Sequence, residues 1–333
     1  MSSIRSGELV VCLGIRTSDF GFAMKLVYMG TPQFAVAPLR ALHAAGHAIA
    51  AVVARTDKPA GRGKVLTPPP VKVAAEALGL TVLQPKRVRA PEFIEALRAL
   101  EPEMIVVAAY GQILPREVLT LPTFGCVNIH ASLLPDYRGA APINWAIILG
   151  EAETGVTLMQ MDEGMDTGAI LLQEHIAIGE RDTAGTVTEK LSGLGARAIV
   201  EALPRIATGE LRPRAQDHGS ATLAPLLTKA DGLIDWTAAA ATIRNRVRGL
   251  TPWPGAYAYL DGRMVKVLEA DTAEGSAEPG AILSQEKDSL AVGTGSGLLR
   301  IITLQPEGKK PMTAAEFLRG HRGIAGKKFE DRT

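Results

Sequence analysis

The chain has 333 residues, 47% of them hydrophobic, and its 36 Lys and Arg residues against 35 Asp and Glu residues give a formal net charge of +1. This length suits two domains, and the apolar content is sufficient for a large core. A nearly neutral chain has no global attraction for nucleic acid, so any RNA contact must depend on local clusters of basic residues. Two distant cysteines and no apolar run near the ~20 residues of a membrane span predict a cytoplasmic protein without disulfide bonds.

Residues 1–23 are interpreted as an N-terminal extension of unknown purpose. A short apolar run at residues 9–15 is preceded only by Arg5 and lacks a convincing cleavage pattern of small residues, so it does not fit a secretory signal. The run is compatible with an extra strand. We favour instead a natural start at Met24, because the recognisable fold begins at Lys25.

The segment after Met24 has the pattern of a βαβ unit. Residues 26–29 and 48–54 are predicted strands, joined by a turn and by a helix that ends near residue 43. The pattern continues with predicted helices at 71–79 and 91–100 and a strand at 104–109. The sheet is therefore expected to be mostly parallel and Rossmann-like. Only Gly30 stands where the dinucleotide fingerprint needs three glycines, which argues against dinucleotide binding.

Residues 55–70, RTDKPAGRGKVLTPPP, are predicted to be a loop, because three consecutive prolines and two glycines exclude a helix. A phosphate-binding P-loop is excluded because Val65 stands where that motif requires Ser or Thr. A solvated surface loop explains the charge but not the length, and long loops in compact domains are commonly functional. The basic residues of this segment are Arg55, Lys58, Arg62 and Lys64.

Residues 125–142 contain the strongest candidate for a reaction centre. Cys126, Val127 and Ile129 predict a short buried strand, and the alternation of a strand places Asn128 and His130 on one of its faces. An amide donor beside an imidazole can hold a developing oxyanion and move a proton. The alternative is structural, because a strand histidine is often hydrogen-bonded and an Asn often caps a turn.

Residues 156–172, VTLMQMDEGMDTGAILL, favour the catalytic interpretation. Their pattern is an apolar strand, a polar Gly-rich turn and a second apolar strand. Asp166 lies in the turn, where a carboxylate can orient or charge the imidazole of His130. Together the three polar side chains predict one site.

The runs NIHASLLPDYRGAAPIN at residues 128–144 and MDEGMDTGAIL at residues 161–171 resemble the methionyl-tRNA formyltransferases of the folate-dependent formyltransferase superfamily. The resemblance extends from about residue 25 to the C-terminus. It implies transfer of the formyl group of 10-formyltetrahydrofolate, a co-substrate rather than a tightly bound cofactor, to the α-amine of initiator methionyl-tRNA during translation initiation. It implies that Asn128, His130 and Asp166 are catalytic.

The resemblance also implies two binding regions. Residues 55–70 correspond to the loop that enters the tRNA acceptor region in this family, and Arg62 matches its key arginine. Arg55, Lys58 and Lys64 are the accompanying cations. The segment expected to contact folate consists of Ser132, Leu133, Leu134 and Pro135.

The composition changes in the last third of the chain. We predict a catalytic domain at 24–207 that ends with helices near 141–149 and 183–206, a linker at 208–228 rich in Gly and Pro, and a C-terminal domain at 229–333. A helix through Arg248 and short β-rich segments predict an OB-like β-barrel that binds tRNA, as the resemblance also implies. These β-rich segments are 256–260, 264–268, 281–283, 290–292 and 298–304. The grouped cations of this domain, for example Arg244, Arg246 and Arg248, fit either phosphate contacts or a solvated helix face.

Two other functions remain open. The same site can formylate a small amine, such as a purine precursor or a nucleotide sugar, or the chain can be an RNA-binding module on a disused enzyme scaffold. The basic segment 55–70 argues against the first, and the retention of all three polar residues argues against the second. No metal site is expected, because His43 and His47 lack a carboxylate partner and Gly46 ends their helix.

Overall fold

The computed structural model describes residues 22–60, 65–286, 289–321 and 323–330. The predicted strand at residues 9–15 and the side chains of Arg62 and Lys64 lie outside these ranges. In chain order the first part contains β1 (Lys25–Gly30), α1 (Val36–Ala44), β2 (Ala48–Val53), β3 (Lys58–Ala60), β4 (Val65–Thr67), α2 (Pro70–Ala77), β5 (Val82–Leu83), α3 (Pro91–Ala99), β6 (Met104–Ala108), α4 (Arg116–Leu119), β7 (Cys126–His130), β8 (Arg138–Gly139), α5 (Pro142–Leu149), β9 (Glu153–Gln160), β10 (Ile170–Ala177) and α6 (Ala184–Ala207).

Seven of these strands form one sheet in the order β10-β9-β7-β6-β1-β2-β5. Within the run β7-β6-β1-β2-β5, each strand is parallel to its neighbours. Strand β9 is antiparallel to both of its neighbours, β7 and β10. The prediction of a mostly parallel α/β sheet is therefore confirmed. The antiparallel pair at one edge arises because a short turn, rather than a helical crossover, joins β9 to β10.

Helices cover both faces of the sheet, and strand alternation assigns each side chain to a face. In β1, Leu26 and Tyr28 pack with α1, α2 and α6 on one face. Val27 and Met29 pack with α3 and α4 on the other. Because strands buried on both faces have no polar alternation, they read in the sequence as continuous apolar runs.

Three of the helices begin with proline, at Pro70, Pro91 and Pro142. The first turn of a helix leaves its N–H groups unpaired, so the missing N–H of proline costs nothing there. Helix α6 instead begins with a capping box, in which Thr183 Oγ1 accepts a hydrogen bond from the backbone N–H of Thr186. These local signals explain why the predicted helix starts agree closely with the structure.

The prediction that residues 55–70 form a loop is wrong in part. β3 pairs with β4 in antiparallel register, with Lys58 opposite Thr67 and Ala60 opposite Val65. This two-stranded ribbon tolerates Pro59 because both of its strands are edge strands. Val65 and Leu66 are 67% and 66% exposed, so the ribbon presents apolar side chains to solvent. Residues 61–64, which connect the two strands, lie outside the described ranges.

The last part of the chain contains β11 (Leu223–Ala224), α7 (Ala240–Gly249), β12 (Ala256–Leu260), β13 (Arg263–Ala273), β14 (Ile282–Glu286), β15 (Ser289–Gly293), β16 (Leu298–Pro306), β17 (Met312–Thr313) and α8 (Ala314–Gly320). Strands β12 to β17 form a six-stranded antiparallel sheet in the order β12-β13-β16-β15-β14, with β17 on β16. All five predicted strands are present, and β17 and α8 were not predicted.

The two parts share an extensive contact between α5 and α7. Ile148 belongs to the hydrophobic core of the second part, although it lies on α5 of the first. Asn144 Nδ2 donates to the carbonyl of Gly249 at 2.7 Å, and a Cβ at Gly249 would lie 2.6 Å from Cγ1 of Ile148. Gly249 therefore permits the close approach of the two helices.

Residues 208–228 run back across the first part. The backbone of Arg214 bridges Ile170 at the start of β10. Further on, β11 pairs in parallel with β8, so that Leu223 lies opposite Arg138 and Ala224 opposite Gly139. This segment therefore contacts both the loop that follows β7 and the turn that precedes β10.

Candidate active site

Asn128 and His130 lie at the carboxyl end of β7, and the two residues are 8% and 6% exposed. They share the strand face of Cys126, as period-2 alternation predicts. Their strand lies between β6 and β9, with Asn128 opposite Val107. Sites in open α/β sheets form beyond the carboxyl ends of the strands. Burial raises the pKa of the Cys126 thiol to about 12, so this cysteine is a neutral packing group.

The side-chain amide of Asn128 makes no hydrogen bond within the described part of the chain, yet its atoms are not sealed from solvent. A buried polar side chain normally finds a partner in the protein. An amide without one at the edge of a sheet is available to a ligand. The Asn128 N–H groups are therefore suited to donate to a substrate oxygen.

His130 contacts one group at each ring nitrogen. Nε2 lies 3.1 Å from the carbonyl oxygen of Tyr137, and because a carbonyl only accepts, Nε2 must carry a proton. Nδ1 lies 3.7 Å from Oδ1 of Asp166. This distance is within ion-pair range but too long for a direct hydrogen bond. The structure therefore brings together the imidazole and the carboxylate that the sequence predicted to meet.

Asp166 occupies the turn between β9 and β10 with a φ of +54°. Asp is among the few residues that adopt this left-handed conformation readily. Its Oδ2 accepts a hydrogen bond from the backbone N–H of Gly139 at 2.9 Å. Its own carbonyl accepts a bond from Gln216 Nε2 at 2.9 Å, as does the carbonyl of Gly168 at 2.6 Å. The Asp166 carboxylate is thus held by the loop that contains Gly139, and the Asp166 backbone is held by the segment that contains Gln216.

The predicted folate segment, Ser132 to Pro135, follows β7 directly. Ser132 and Leu134 are buried. Thr157 Oγ1 accepts from the N–H of Leu134 at 3.0 Å and donates to the carbonyl of Ser132 at 2.7 Å. Gln173 donates to the carbonyl of Leu134 at 2.8 Å. These backbone groups are engaged within the protein, so Leu133 and Pro135, which are half-buried, are the members exposed to a ligand.

The loop after β6 borders the same edge. Thr31 Oγ1 donates to the carbonyl of Tyr110 at 2.9 Å, and Gln112 donates to the Tyr110 hydroxyl at 3.3 Å. Burial raises the pKa of Tyr110 to about 12, so its hydroxyl stays protonated. Arg55 Nη1 lies 3.4 Å from the carbonyl of Gly111. Of the four predicted tRNA-binding cations, Arg55 therefore lies at this edge, while Lys58 is exposed on the adjoining strand β3.

Two polar residues of this region were not predicted from the sequence. Arg138 and Gln216 are each 6% exposed, and Arg138 Nε and Nη2 both donate to Oε1 of Gln216, at 3.1 and 2.6 Å. The two residues are 78 positions apart. No local sequence pattern predicts such a pair. The position of Arg138, a charged residue within an apolar and Gly-rich run, was nevertheless a signal that could have singled it out.

The arginines of α7 have a role that neither sequence interpretation anticipated. Arg248 Nη1 donates to the carbonyls of Gly179 and Glu180, each at 2.8 Å. Arg244 donates to the same Glu180 carbonyl at 3.0 Å, and Arg246 donates to the carbonyl of Asp231 at 2.6 Å. All three therefore bind protein backbone, and two of them attach α7 to the first part of the chain.

Neither a metal cluster nor a membrane span occurs in the described ranges. No group of three or more His, Cys, Asp or Glu residues there has a geometry suited to a metal ion, and no helix there has the length and apolar character to cross a bilayer. His47, one of the two histidines considered above, is buried and Nδ1 accepts from the N–H of Met24 at 3.3 Å. Burial lowers its pKa.

Comparison with known families identifies the class of protein. The pattern of the family described as "Formyl transferase" matches residues 24–203, and that described as "Formyl transferase, C-terminal domain" matches residues 226–322. Together they cover most of the chain. The chain belongs to the formyl transferase family, and it is therefore an enzyme of a transferase family.

Curated relatives narrow the class further. Proteins named methionyl-tRNA formyltransferase from Citrifermentans bemidjiense and Geobacter metallireducens are 52% and 51% identical to this chain. The first match covers 92% of this chain and 97% of the relative, and the second covers 90% and 96%. This chain is thus similar to these relatives along almost their whole length.

Solved structures show the same fold at low identity. The N-formyltransferase from Helicobacter canadensis, in complex with folinic acid and dTDP-3-aminofucose, is 18% identical with a TM-score of 0.61, over 84% of this chain and 98% of that one. HypX from Aquifex aeolicus in complex with tetrahydrofolic acid is 19% identical with a TM-score of 0.62, over 91% of this chain and 48% of that one. This chain spans about half of the HypX chain.

Proposed function

We propose that this protein transfers the formyl group of 10-formyltetrahydrofolate to the α-amino group of initiator methionyl-tRNA, and so supports translation initiation. The observation that carries the proposal is the meeting of Asn128, His130 and Asp166 at the carboxyl edge of the sheet, with Nδ1 of His130 3.7 Å from Oδ1 of Asp166. The names of the relatives, at about half identity over nearly the whole chain, support methionyl-tRNA as the acceptor.

The chemistry requires little base strength from the protein. The attacking nitrogen must be neutral, and an α-amino group titrates at about 7.7–8.0. Esterification of the carboxyl group withdraws electrons and lowers that pKa further. The amine attacks the formyl carbon directly, and a bond forms between them. The carbon–nitrogen bond to folate then breaks, and the departing folate nitrogen receives a proton that the attacking nitrogen loses.

The three side chains have distinct roles in this scheme. The unpaired amide of Asn128 and the positive charge of a protonated His130 stabilise the oxygen of the tetrahedral intermediate; removal of one such group typically costs ~10²–10³ in rate. Asp166 holds the imidazole and assists proton transfer between the two nitrogens. Because Gly139 donates to the other carboxylate oxygen, Oδ1 is the one directed to His130.

The folate co-substrate is placed along the loops that border the site. Leu133 and Pro135 are the half-buried members of the predicted folate segment, and Ser132 and Leu134 are its buried members. The loop around Tyr110 supplies the opposite wall. Two fold relatives contain folinic acid or tetrahydrofolic acid, which supports a folate as the donor here. The donor enters and leaves with each cycle, so no tightly bound cofactor is proposed.

The tRNA is placed on the basic ribbon β3–β4 and on the C-terminal part. Arg55 and Lys58 supply cations beside the catalytic edge, and the sequence adds Arg62 and Lys64 in the segment between β3 and β4. The C-terminal sheet is proposed to be an OB-like barrel. Its support is the segment 327–330, which bridges both sheet edges, because Glu330 pairs with Tyr259 of β12 and Lys328 pairs with Ala281 beside β14. OB-like barrels commonly bind nucleic acid.

Acceptor choice tests the proposal. The purified protein is incubated with 10-formyltetrahydrofolate and, in separate reactions, with initiator methionyl-tRNA, an amino sugar nucleotide and an aminated purine precursor. We expect formyl-methionyl-tRNA alone to form at a catalytic rate. Formylation of either small amine in preference to the tRNA would assign the protein to another branch of the family. Binding of tRNA without any transfer would support an RNA-binding module.

A further inference from the structure

Gln216 lies in the segment that crosses the catalytic loop, and its side chain joins three parts of the site. Nε2 donates to the carbonyls of Asp166 and Gly168, at 2.9 and 2.6 Å. Oε1 accepts two hydrogen bonds from the guanidinium of Arg138, at 3.1 and 2.6 Å. The side chain is almost completely buried. All four contacts are therefore formed away from bulk water.

The chemistry of these partners permits only one orientation of the amide. A guanidinium has donors and no acceptor, and a backbone carbonyl has acceptors and no donor. With the opposite orientation, the NH₂ group of Gln216 would face the Arg138 donors and the oxygen would face two carbonyls. Arg138 therefore fixes which end of the Gln216 amide reaches the turn of Asp166.

Arg138 has an unusual environment for a buried cation. No carboxylate lies within ion-pair distance of its side chain among the residues that the structure describes. Besides Gln216, its described side-chain partner is Nδ1 of His218 at 3.0 Å. A buried arginine is usually paired with an acid. Arg138 instead donates two hydrogen bonds to the Gln216 amide, which indicates that the orientation of this amide matters to the structure.

We propose that Gln216, oriented by Arg138, is a positioning residue that holds Asp166 against His130. The turn around Asp166 has a left-handed backbone at that residue, and the two bonds from Gln216 hold the carbonyls on either side of Thr167. Gly139, the donor to the Asp166 carboxylate, adjoins Arg138. The inference rests on the proposed function. Under this proposal, residues 208–228, which lead to the C-terminal part, determine the geometry of the Asp166 carboxylate.

Gln216→Met and Gln216→Glu test the inference together. The methionine keeps the length of the side chain and removes all four hydrogen bonds. The glutamate keeps an acceptor for Arg138 but has no donor for the two carbonyls. We expect both variants to reduce kcat by up to roughly 10²-fold, as small misplacements in active sites do, with the KM for methionyl-tRNA nearly unchanged. Thr120→Val is the matched control, because Thr120 Oγ1 also donates to a backbone carbonyl, that of Arg116 at 2.9 Å, but at an exposed site.

A double-mutant cycle separates positioning from a general structural role. If Gln216 acts through the carboxylate of Asp166, then Gln216→Met should reduce kcat far less in an Asp166→Asn background than in the wild type. An equal reduction of kcat in both backgrounds would overturn the proposal. So would wild-type kcat in Gln216→Met.

Amide exchange of Gly139 gives a readout that does not depend on activity. Its N–H donates to Oδ2 of Asp166, so displacement of the carboxylate should accelerate its exchange with deuterium, measured by NMR. We expect faster exchange in Gln216→Met and unchanged exchange in Thr120→Val. Unchanged exchange in Gln216→Met would overturn the proposal even in an active enzyme. If the wild type transfers no formyl group to any acceptor, the proposed function is wrong. The exchange rate of the Gly139 amide then tests the positioning role of Gln216 by itself.

Discussion

Nδ1 of His130 lies 3.7 Å from Oδ1 of Asp166, although the two residues are 36 positions apart, one at the end of β7 and the other in the turn between β9 and β10. The imidazole is fixed at Nε2 by the carbonyl of Tyr137, and the carboxylate is fixed at Oδ2 by the N–H of Gly139. The two free positions, Nδ1 and Oδ1, therefore face each other. A proton on Nδ1 makes this contact attractive.

Asp166→Asn removes the negative charge and keeps the shape of the side chain. We expect the rate of formyl transfer to fall by roughly 10²–10⁴, the range for loss of acid–base assistance, with folate affinity much less affected. Rapid-quench kinetics and equilibrium folate binding measure the two quantities. Glu163→Gln is the control, because Glu163 carries an exposed carboxylate in the same turn. Equal rate losses in the two variants would remove Asp166 from the mechanism.

Arg62→Ala should weaken tRNA binding and leave folate binding unchanged, because Arg62 belongs to the basic segment between β3 and β4 and not to β7. Loss of one phosphate contact should lower the slope of log K against log salt by about one. Filter binding across a salt series measures both quantities. Arg40→Ala, an exposed arginine on α1, is the control. If affinity and slope are unchanged in Arg62→Ala, the ribbon is a surface feature only.

Asp182 stabilises the loop on which Arg248 docks. Burial raises the pKa of Asp182, but hydrogen bonds from Lys190, Gly179 and Thr186 outweigh burial and hold the pKa below its ordinary value of 3.8. The unfolded state therefore binds more protons, and the stabilisation is present above that value and is lost as pH falls through the folded pKa. Loss of such charge-assisted bonds costs about 1.5–3 kcal/mol.

Asp182→Asn should thus lower the free energy of unfolding by about that amount at neutral pH, and the difference from wild type should shrink below about pH 4. Urea unfolding at several pH values measures it. Glu189→Gln, which removes an exposed carboxylate of the same helical region, should have little effect at any pH. A difference for Asp182→Asn that grows on acidification would contradict the assigned direction.

Gly249→Ala tests the contact between α5 and α7. A Cβ there would lie 2.9 Å from the backbone oxygen of Asn144 and 2.6 Å from Ile148. Overpacking of this kind costs about 1–3 kcal/mol, so we expect a lower midpoint of unfolding and easier separation of the two parts by limited proteolysis. At Gly320 a Cβ meets nothing within 4 Å, so Gly320→Ala should be neutral or slightly stabilising. Equal stability of the two variants would show that the helices do not pack as described.

The positions of the sheet strands could be predicted from the sequence because buried strands and their turns leave short-range signals. β7 was predicted with Asn128 and His130 on one face, since alternation requires only neighbouring residues. Asp166 was placed near His130 by the resemblance and by the strand–turn–strand pattern. Pairing of β9 with β7 then determined the distance between the two side chains.

Other features depend on contacts that the sequence does not encode locally. The Arg138–Gln216 pair joins residues 78 positions apart, and neither has a periodic pattern. The arginines of α7 looked like a solvated or phosphate-binding face, because charge pattern does not distinguish water from the carbonyls of another segment. The ribbon β3–β4 was missed because prolines and glycines usually indicate a loop.

Single-turnover formyl transfer in a preformed complex of enzyme, 10-formyltetrahydrofolate and methionyl-tRNA tests the central claim most directly. Asn128→Ala and His130→Ala are compared with the wild type, with circular dichroism and tRNA binding as checks on folding. We expect each variant to bind both substrates and to transfer the formyl group at least ~10²-fold more slowly, as loss of an oxyanion donor predicts. A wild-type rate in either folded variant would contradict the account.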